Sequence, residues 1–423
     1  MLGPDSRLLT ALLILASVGL LAGVIRFRLL AVKIACGSLS IIVAMVGGVA
    51  AVNYYYGYYT TWGQLVADFN GGAGDLGTIP ATTSSSTAGA TSGSIGWVTL
   101  PGKLSGYSRR ALVYLPPQYG QARYARVRFP VVELFHGTPG NPLTWQTVLR
   151  IGQVANQLIA KHLIGPMIFV MPSINGSGHQ YQDCVNGPGT SDDTYLTKDV
   201  RADMLARYRV SRDAYEWGLA GYSSGGFCAA NLALRHRTSF GAAAVINGYF
   251  RAADGPAGTA LNHSQPLEAA NSPLYLAERL TPNAGPLPAF WVAAGTHDVS
   301  DYKPATVFTA ALNRIEQVPF FKLNAGDTAN EWSAALPNAL AWMWQQLAPP
   351  DLRVLFPVHT QASGTTKLYV PPIKHRYTQC KVPALPCGPF PSGKPGATSS
   401  PGKDQPAAVE PGQRVAVAVK PQT

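Results

Sequence analysis

The chain is short of charged residues, and of acidic residues in particular. Only 13% of its 423 residues are charged, and 22 acidic side chains face 33 basic ones, which gives a net charge of +11. An average soluble protein carries about 25% charged residues. With 47% hydrophobic residues and only 5 cysteines, neither a wholly disordered chain nor a small disulfide-rich scaffold fits. These proportions predict a globular protein that associates with a membrane or a surface.

Two uncharged apolar runs near the N-terminus, 8–25 and 34–52, are each close to the ~20 residues that span a bilayer. The short loop between them carries three positive charges, Arg26, Arg28 and Lys33. Positive charge favours the cytoplasmic side, and the aromatic cluster at 54–62 favours the membrane–water boundary. We expect a transmembrane hairpin and aromatic belt over 1–62, with an extracytoplasmic body held at the cell membrane. A cleaved signal peptide followed by a core helix is the alternative.

Composition divides the rest of the chain into three parts. The Gly-, Ser- and Thr-rich stretch 63–95 is typical of a flexible linker. Residues 96–348 alternate apolar runs with helical patterns and form the predicted body. Residues 349–423 form a C-terminal extension whose tail, from about 383, is rich in Pro, Gly, Ser and Lys and is predicted to be disordered.

Short apolar runs in the body predict β-strands separated by helices. The runs are 111–115, 131–135, 167–171, 217–220, 242–246 and 290–294. Near-continuous apolar strands interleaved with helices indicate a mostly parallel sheet with helices on both faces. In such sheets the functional groups gather at the carboxyl ends of the strands.

The strongest motif is Gly-Tyr-Ser-Ser-Gly-Gly over 221–226, between a predicted strand and an Ala/Leu-rich helical stretch. This is the context of a G-x-S-x-G nucleophile elbow, in which a sharp turn exposes a serine hydroxyl. We predict Ser223 as the nucleophile and the Ser224 N–H as one oxyanion donor. The loop after an earlier strand supplies Thr138 N–H as the second donor. His136, just before it, is interpreted as a structural residue that orients this loop.

The body resembles the putative-esterase branch of the α/β-hydrolases, most closely its membrane-anchored actinobacterial members, which are related to the mycolyltransferases of mycobacteria. The resemblance rests on the elbow, on Phe227-Cys-Ala-Ala-Asn-Leu-Ala-Leu-Arg-His after it, on the segments at 193–200 and 248–250, and on Gly-Thr-His-Asp at 295–298. It implies an α/β-hydrolase fold and a Ser–acid–His triad in that chain order. Asp298 matches the acid of the family, although an Asp after Gly-Thr-His could instead cap the next helix.

The triad histidine is where this chain departs from the family pattern. Family members place it five residues before the Trp of a Trp-x-x-x-Leu-Pro helix, and that position here is Asp327. Aspartate is a far weaker base than histidine, with a pKa of about 3.9 against about 6.5, and when ionised it has no N–H to donate to Asp298.

Three explanations stay open for the missing base. In the first, another histidine enters the site: His359 and His375 keep the Ser–Asp–His order, and His297 and His179 lie in loops. In the second, Ser223 works with a base other than histidine, at low activity. In the third, the domain has lost triad chemistry and is a binding or scaffolding protein.

Four cysteines follow the membrane segments, and an even number in an oxidising compartment suggests disulfides. The pairs would be Cys184 with Cys228 and Cys380 with Cys387, and free buried thiols are the alternative. The polar loop containing His179 matches no metal-ligand spacing. The chain has no P-loop, dinucleotide fingerprint or nucleic-acid module, so we expect no cofactor, no metal and no nucleic-acid partner.

These residues predict an extracytoplasmic, membrane-anchored serine esterase or acyltransferase. Its expected partners are the lipid bilayer and an ester-containing lipid or envelope substrate. The alternative is a catalytically silent member of the same fold with a role in the cell envelope.

Overall fold

The computed structural model describes residues 2–56, 59, 61–69, 91–138, 140–175, 182–324, 326 and 328–358. The chain divides into two compact units, Met1–Ile373 and Lys374–Thr423, of which the second lies wholly outside the described residues. The helices are α1 (Arg7–Arg26), α2 (Leu30–Tyr56), α3 (Trp62–Phe69), α4 (Thr144–Thr147), α5 (Ile151–Ala160), α6 (Asp192–Thr194), α7 (Val200–Arg207), α8 (Ser224–Arg235), α9 (Pro256–Ala260), α10 (Gln265–Ala270), α11 (Pro273–Glu278), α12 (Val299–Asn313), α13 (Ala329–Leu347) and α14 (Pro350–Leu355). The strands are β1 (Ser94–Pro101), β2 (Ser108–Leu115), β3 (Val131–Phe135), β4 (Ile168–Pro172), β5 (Asn186–Gly187), β6 (Thr190–Ser191), β7 (Trp217–Tyr222), β8 (Ala242–Ile246), β9 (Ala289–Gly295) and β10 (Phe320–Leu323).

Helices α1 and α2 coincide with the two apolar runs near the N-terminus. Both are long and apolar enough to cross a membrane by length and composition, a test that a signal sequence or a core helix also passes. The two helices pack against each other and are joined by a reciprocal serine contact. Ser40 Oγ donates to the Ser17 carbonyl at 2.8 Å, and Ser17 Oγ donates to the Ser40 carbonyl at 3.1 Å.

The body is built on an eight-stranded sheet in the order β1-β2-β4-β3-β7-β8-β9-β10. β1, β2 and β4 pair antiparallel, and from β4 to β10 every neighbouring pair is parallel. The prediction of a mostly parallel sheet is therefore confirmed. Because parallel strands share a direction, the carboxyl ends of β3, β7, β8 and β9 meet at one edge.

Helices cover both faces of this sheet because side chains alternate along each strand. In β3, Val131 and Phe135 join the hydrophobic core on one face, where α7, α8 and α12 pack. Val132 and Leu134 join the core on the other face, against α5 and α13. All five residues of β3 are buried, which explains why this strand is a continuous apolar run interrupted only by Glu133.

The apolar runs predict the six interior strands to within about three residues and do not predict the two edge strands. β3 and β8 have the predicted bounds, whereas β1 and β10 at the two ends of the sheet were not predicted. Edge strands pair on one side only and are less continuously apolar, so their sequence signal is weaker. Helix α3 and the start of β1 also occupy parts of the segment 63–95 that composition assigns to a linker.

Glu133 is a charged residue type in the middle of the core, and we expect it to make stability depend on pH. It is 0% exposed, neither carboxylate oxygen has a hydrogen-bond partner among the described residues, and burial raises its pKa to about 8, opposed by the charge of Arg201. The unfolded chain releases this proton near its ordinary value of 4.5, so the stabilisation is present below that pH and is lost as the pH rises to about 8. The loss is at most about 1.4 kcal/mol per pH unit for one proton.

Urea unfolding of the wild type and of Glu133→Gln, between pH 5 and 8, measures this effect. The wild type should lose stability across that interval relative to the variant, because glutamine has the same shape and does not ionise. Parallel curves for the two proteins would show that Glu133 is ionised in the folded state.

Candidate active site

Ser223 lies at a sharp turn between β7 and α8, at the edge where the parallel strands end. Its backbone has φ 52° and ψ −125°, a conformation that a residue with a side chain rarely adopts. The turn is fixed because the Ser223 N–H donates to the Ile246 carbonyl at the end of β8 (3.0 Å), and its own carbonyl accepts from Gly226 N–H (2.8 Å). The side chain is half-buried, and no described residue hydrogen-bonds its hydroxyl. This is the geometry of a nucleophile elbow.

Two glycines allow the turn to pack this tightly. A Cβ on Gly221 would lie 2.9 Å from the Cα of Gly225, and a Cβ on Gly225 would overlap the Phe135 carbonyl and lie 2.7 Å from the carbonyl oxygen of His136. Real Cβ atoms do not approach backbone so closely. The first turn of α8 therefore presses directly on the end of β3, which brings the elbow beside the loop after β3.

That loop supplies the second predicted oxyanion donor, Thr138. It is held by His136, whose Nδ1 faces the carbonyl of Gly137 at 2.9 Å and whose Nε2 is 3.3 Å from the backbone N–H of Ile174. The Ile174 bond requires Nε2 to accept, so Nδ1 carries the proton and donates. Burial lowers the pKa of His136 to about 4, so this imidazole is neutral at ordinary pH. The contacts place His136 in the loop-orienting position, whereas the role of Thr138 stays a prediction.

Asp298 follows β9 and is the N-cap of α12. Its Oδ1 accepts from the backbone N–H of Ser300 at 3.0 Å and from the Ser300 hydroxyl. Both the acid role and the capping role were open from the sequence, and the described contacts are those of a cap. A cap still presents its second carboxylate oxygen, so the acid role remains a prediction.

Asp327 itself lies outside the described residues, but the residue before it is placed by a buried asparagine. Asn247, at the end of β8, donates from Nδ2 to the Gly326 carbonyl at 2.9 Å, and its Oδ1 accepts from Gly295 N–H at 3.1 Å. Asn247 directly follows Ile246, the residue that accepts from the elbow. Gly326 is thus fixed at the same sheet edge as Ser223. Asn247 was not predicted as a site residue; its φ of 45° at a strand end is a feature of the fold that its neighbours in sequence do not reveal.

Only one of the four candidate substitute bases lies among the described residues. His179, His359 and His375 lie outside the described residues, together with Cys380 and Cys387. His297 is described and exposed, in the turn between β9 and α12. Within the described part of the chain, no imidazole hydrogen-bonds either Ser223 or Asp298.

Acidic residues that precede α7 pair with basic groups of the body. Asp192 is buried against Arg109, and Asp193 binds Arg235 at 3.1 Å and His236 at 2.7 Å. The described residues contain no group of three or more His, Cys, Asp or Glu side chains that could hold a metal ion. These carboxylates therefore form ion pairs that connect elements of the body.

Cys184 and Cys228 form a disulfide, with their Cα atoms 5.7 Å apart. It joins the segment before β5 to the second turn of α8, five residues after Ser223. Both side chains are fully buried. Cys36 is a free thiol within α2.

The mostly parallel sheet and the serine turn are typical of α/β-hydrolases. Comparison with known proteins places the chain in an esterase family. The family model Esterase, described as "Putative esterase", matches residues 104–343. The chain belongs to this family, which covers the sheet from β2 onward and most of α13.

Curated relatives match only part of their own length. An uncharacterized protein of Corynebacterium glutamicum is 29% identical over 239 residues, which are 52% of this chain and 54% of that protein. An endo-1,4-beta-xylanase/feruloyl esterase of Xylanibacter ruminicola is 28% identical over 159 residues, which are 37% of this chain and 22% of that protein. The chain thus spans about half or less of the relatives it matches.

Solved structures share the fold at low sequence identity. A ferulic acid esterase superposes with a TM-score of 0.54 at 20% identity, covering 61% of this chain and 99% of that one. A fluorophosphonate-binding serine hydrolase F of Staphylococcus aureus gives 0.51 at 19% identity, covering 60% and 98%. An S-formylglutathione hydrolase of Agrobacterium tumefaciens gives 0.51 at 16% identity, covering 62% and 98%. These likenesses support the α/β-hydrolase fold predicted from the sequence.

Proposed function

We propose that the chain is a serine esterase or acyltransferase with Ser223 as its nucleophile. The observation that carries the proposal is the strained turn at Ser223, a half-buried residue at the N-terminus of α8. Strain of this kind persists only where the surrounding structure enforces it, and it concentrates at functional sites. Family membership supports the class of reaction, and the geometry of the turn supports Ser223 as the nucleophile.

In the proposed reaction Ser223 Oγ forms a bond to the ester carbonyl carbon while a base takes the hydroxyl proton. The N–H groups of Ser224 and Thr138 stabilise the oxyanion, and Ser224 N–H is free to do so because the first N–H groups of a helix lack intrahelical acceptors. Collapse of the intermediate breaks the bond to the leaving alcohol, which takes the proton from the base. Water or a second alcohol then attacks the acyl-enzyme and restores Ser223. Asp298 would orient the base.

The location proposal is that α1 and α2 anchor the body on the outer side of the cell membrane. Their exposed apolar surfaces suit lipid, and the positively charged loop favours a cytoplasmic turn between them. The Cys184–Cys228 disulfide fits an oxidising, extracytoplasmic compartment. A bilayer partner and an ester-bearing lipid or envelope substrate follow from this location. Protection of the body from added protease in intact cells would contradict it.

A catalytically silent protein is the second candidate, favoured by Asp327 at the family's histidine position and by the capping contacts of Asp298. Labelling of the intact protein with a fluorophosphonate probe separates the two. We expect an adduct on Ser223, found by peptide mass spectrometry, and none in Ser223→Ala. Gly152→Ala, a change within α5, should label like the wild type. Absence of an adduct in folded wild-type protein would favour the silent candidate.

A further inference from the structure

Asn175 follows the end of β4, at the sheet edge that carries Ser223, and the proposed reaction gives it no part. Its side chain is half-buried, and its Nδ2 donates to the Gly140 carbonyl at 3.1 Å. The nitrogen must occupy this position, because the amide oxygen would face the carbonyl oxygen as a second acceptor. Gly140 ends the loop 136–140 after β3, which we call the β3 loop and which contains the candidate oxyanion donor Thr138. Asn175 therefore holds the end of the β3 loop that is farther from the strand.

The nearer end of the β3 loop is held by the residue that precedes Asn175. The backbone N–H of Ile174 donates to Nε2 of His136 at 3.3 Å, and Nδ1 of His136 donates to the Gly137 carbonyl at 2.9 Å. The strands β3 and β4 are parallel neighbours, so their carboxyl ends lie at the same sheet edge. Two successive residues after β4 thus hold both ends of the loop after β3.

Between these two ends the β3 loop packs directly against the elbow. A Cβ on Gly140 would lie 2.7 Å from the carbonyl oxygen of Gly137, so the loop folds back on itself. A Cβ on Gly137 would lie 3.2 Å from the Cβ of Ser223 and 2.8 Å from the ring of Tyr222. Thr138 is the next residue, so any shift of this loop moves the candidate donor relative to the nucleophile.

The backbone of Asn175 is itself fixed by a neighbouring hydroxyl group. The Asn175 N–H donates to Ser173 Oγ at 3.3 Å, and Ser173 Oγ donates to the Asn175 carbonyl at 3.4 Å. Among the described residues, the side chain of Asn175 makes one hydrogen bond, the one to Gly140, and its Oδ1 is buried without a partner. The described polar contact of this amide is therefore directed at the β3 loop alone.

We propose that Asn175 is a positioning residue for the oxyanion hole: by holding the Gly140 carbonyl it fixes the β3 loop and with it the direction of the Thr138 N–H. The inference rests on the proposed function of Ser223. An oxyanion donor must lie 2.7–3.1 Å from the developing charge. A displacement of about 1 Å in a catalytic group can cost about 10²-fold in rate. A hydrogen bond that fixes the loop before substrate binds prevents such a displacement.

The first test measures fluorophosphonate labelling at several probe concentrations, which separates the limiting rate from the half-saturating concentration. Asn175→Asp keeps the shape but its ionised carboxylate cannot donate, and Asn175→Ala removes the donor without adding charge. Both should lower the limiting rate roughly 10- to 100-fold and leave the half-saturating concentration within about twofold. Agreement between the two variants assigns the loss to the hydrogen bond rather than to a cavity or a charge.

Asn156→Ala is the matched control for a general loss of stability. The Oδ1 of Asn156 accepts from the Gly93 N–H at 2.8 Å and from the Tyr114 hydroxyl at 2.7 Å. Tyr114 pairs with Phe169 near the start of β4, at the sheet edge opposite to Ser223. This variant should lower the thermal midpoint and leave the limiting rate of labelling unchanged.

The second test does not depend on the reaction. Amide hydrogen exchange of peptides that cover 136–143, followed by mass spectrometry, should be faster in both Asn175 variants than in the wild type and unchanged in Asn156→Ala. Faster exchange with a wild-type labelling rate would show that Asn175 orders a loop that the oxyanion does not use. Slower labelling without faster exchange would show that Asn175 does not act through the loop. Either result, or no change in both measurements, overturns the inference and leaves Ser223 as the nucleophile. If the wild type itself is not labelled on Ser223, the proposed function fails and this inference fails with it.

Discussion

Replacing Asp327 with histidine is expected to raise kcat/KM for an activated ester such as a p-nitrophenyl ester by ~10²-fold or more, since losing one triad member typically costs several orders of magnitude. A histidine at this position would take the Ser223 proton and donate its other N–H to Asp298. Asp327 follows Gly326, which Asn247 fixes at the sheet edge that carries Ser223. The side chain is therefore introduced next to a residue already held near the nucleophile.

Two companion variants make the result specific. Asp327→Asn removes the negative charge without adding a base and should not show the gain. Ser223→Ala combined with Asp327→His should lose it, because the new base then has no nucleophile to activate. The Asp327→His protein could react with the fluorophosphonate probe and hydrolyse the ester no faster than the wild type. In that case the missing imidazole does not limit the rate at this site, and a base from elsewhere in the chain becomes the better explanation.

Gly225→Ala is expected to prevent the body from folding, with a loss of more than about 4 kcal/mol in the free energy of unfolding. The added methyl group would overlap the carbonyl of Phe135 and lie 2.7 Å from that of His136. Both obstacles are backbone at the carboxyl end of β3, so neither can rotate away as a side chain could, and relief would require separating α8 from β3. Overpacking of this kind is costly because protein cores are already close-packed.

Soluble yield and a thermal melt followed by circular dichroism measure this outcome. Gly152→Ala is the matched control. Its new methyl would lie 3.2 Å from the end of the Gln146 side chain, which can move aside, and alanine favours the helix. A Gly225→Ala protein that melts near the wild-type temperature would show that the elbow is packed less tightly than described.

The central strands, the elbow and its serine could all be located from the amino-acid sequence alone. These are local features: a buried parallel strand is a continuous apolar run, and the elbow is five consecutive residues whose glycines allow one turn. The same reasoning placed the apolar helices α1 and α2 with their bounds nearly correct. It failed for β1, β10 and α3, where exposure on one side or a short amphipathic pattern leaves little compositional signal.

How residues distant in sequence meet around Ser223 could be learned only from the three-dimensional fold. Asn247 reaches Gly326 across 79 positions, and Asp183 reaches Tyr249 across 66. Neither contact has a sequence spacing that a local pattern could reveal, because each depends on strand order and on the path of a loop. The contacts of Asp298 and His136 were likewise open until their neighbours were known, since capping, loop support and catalysis use the same side chains and differ only in what those side chains touch.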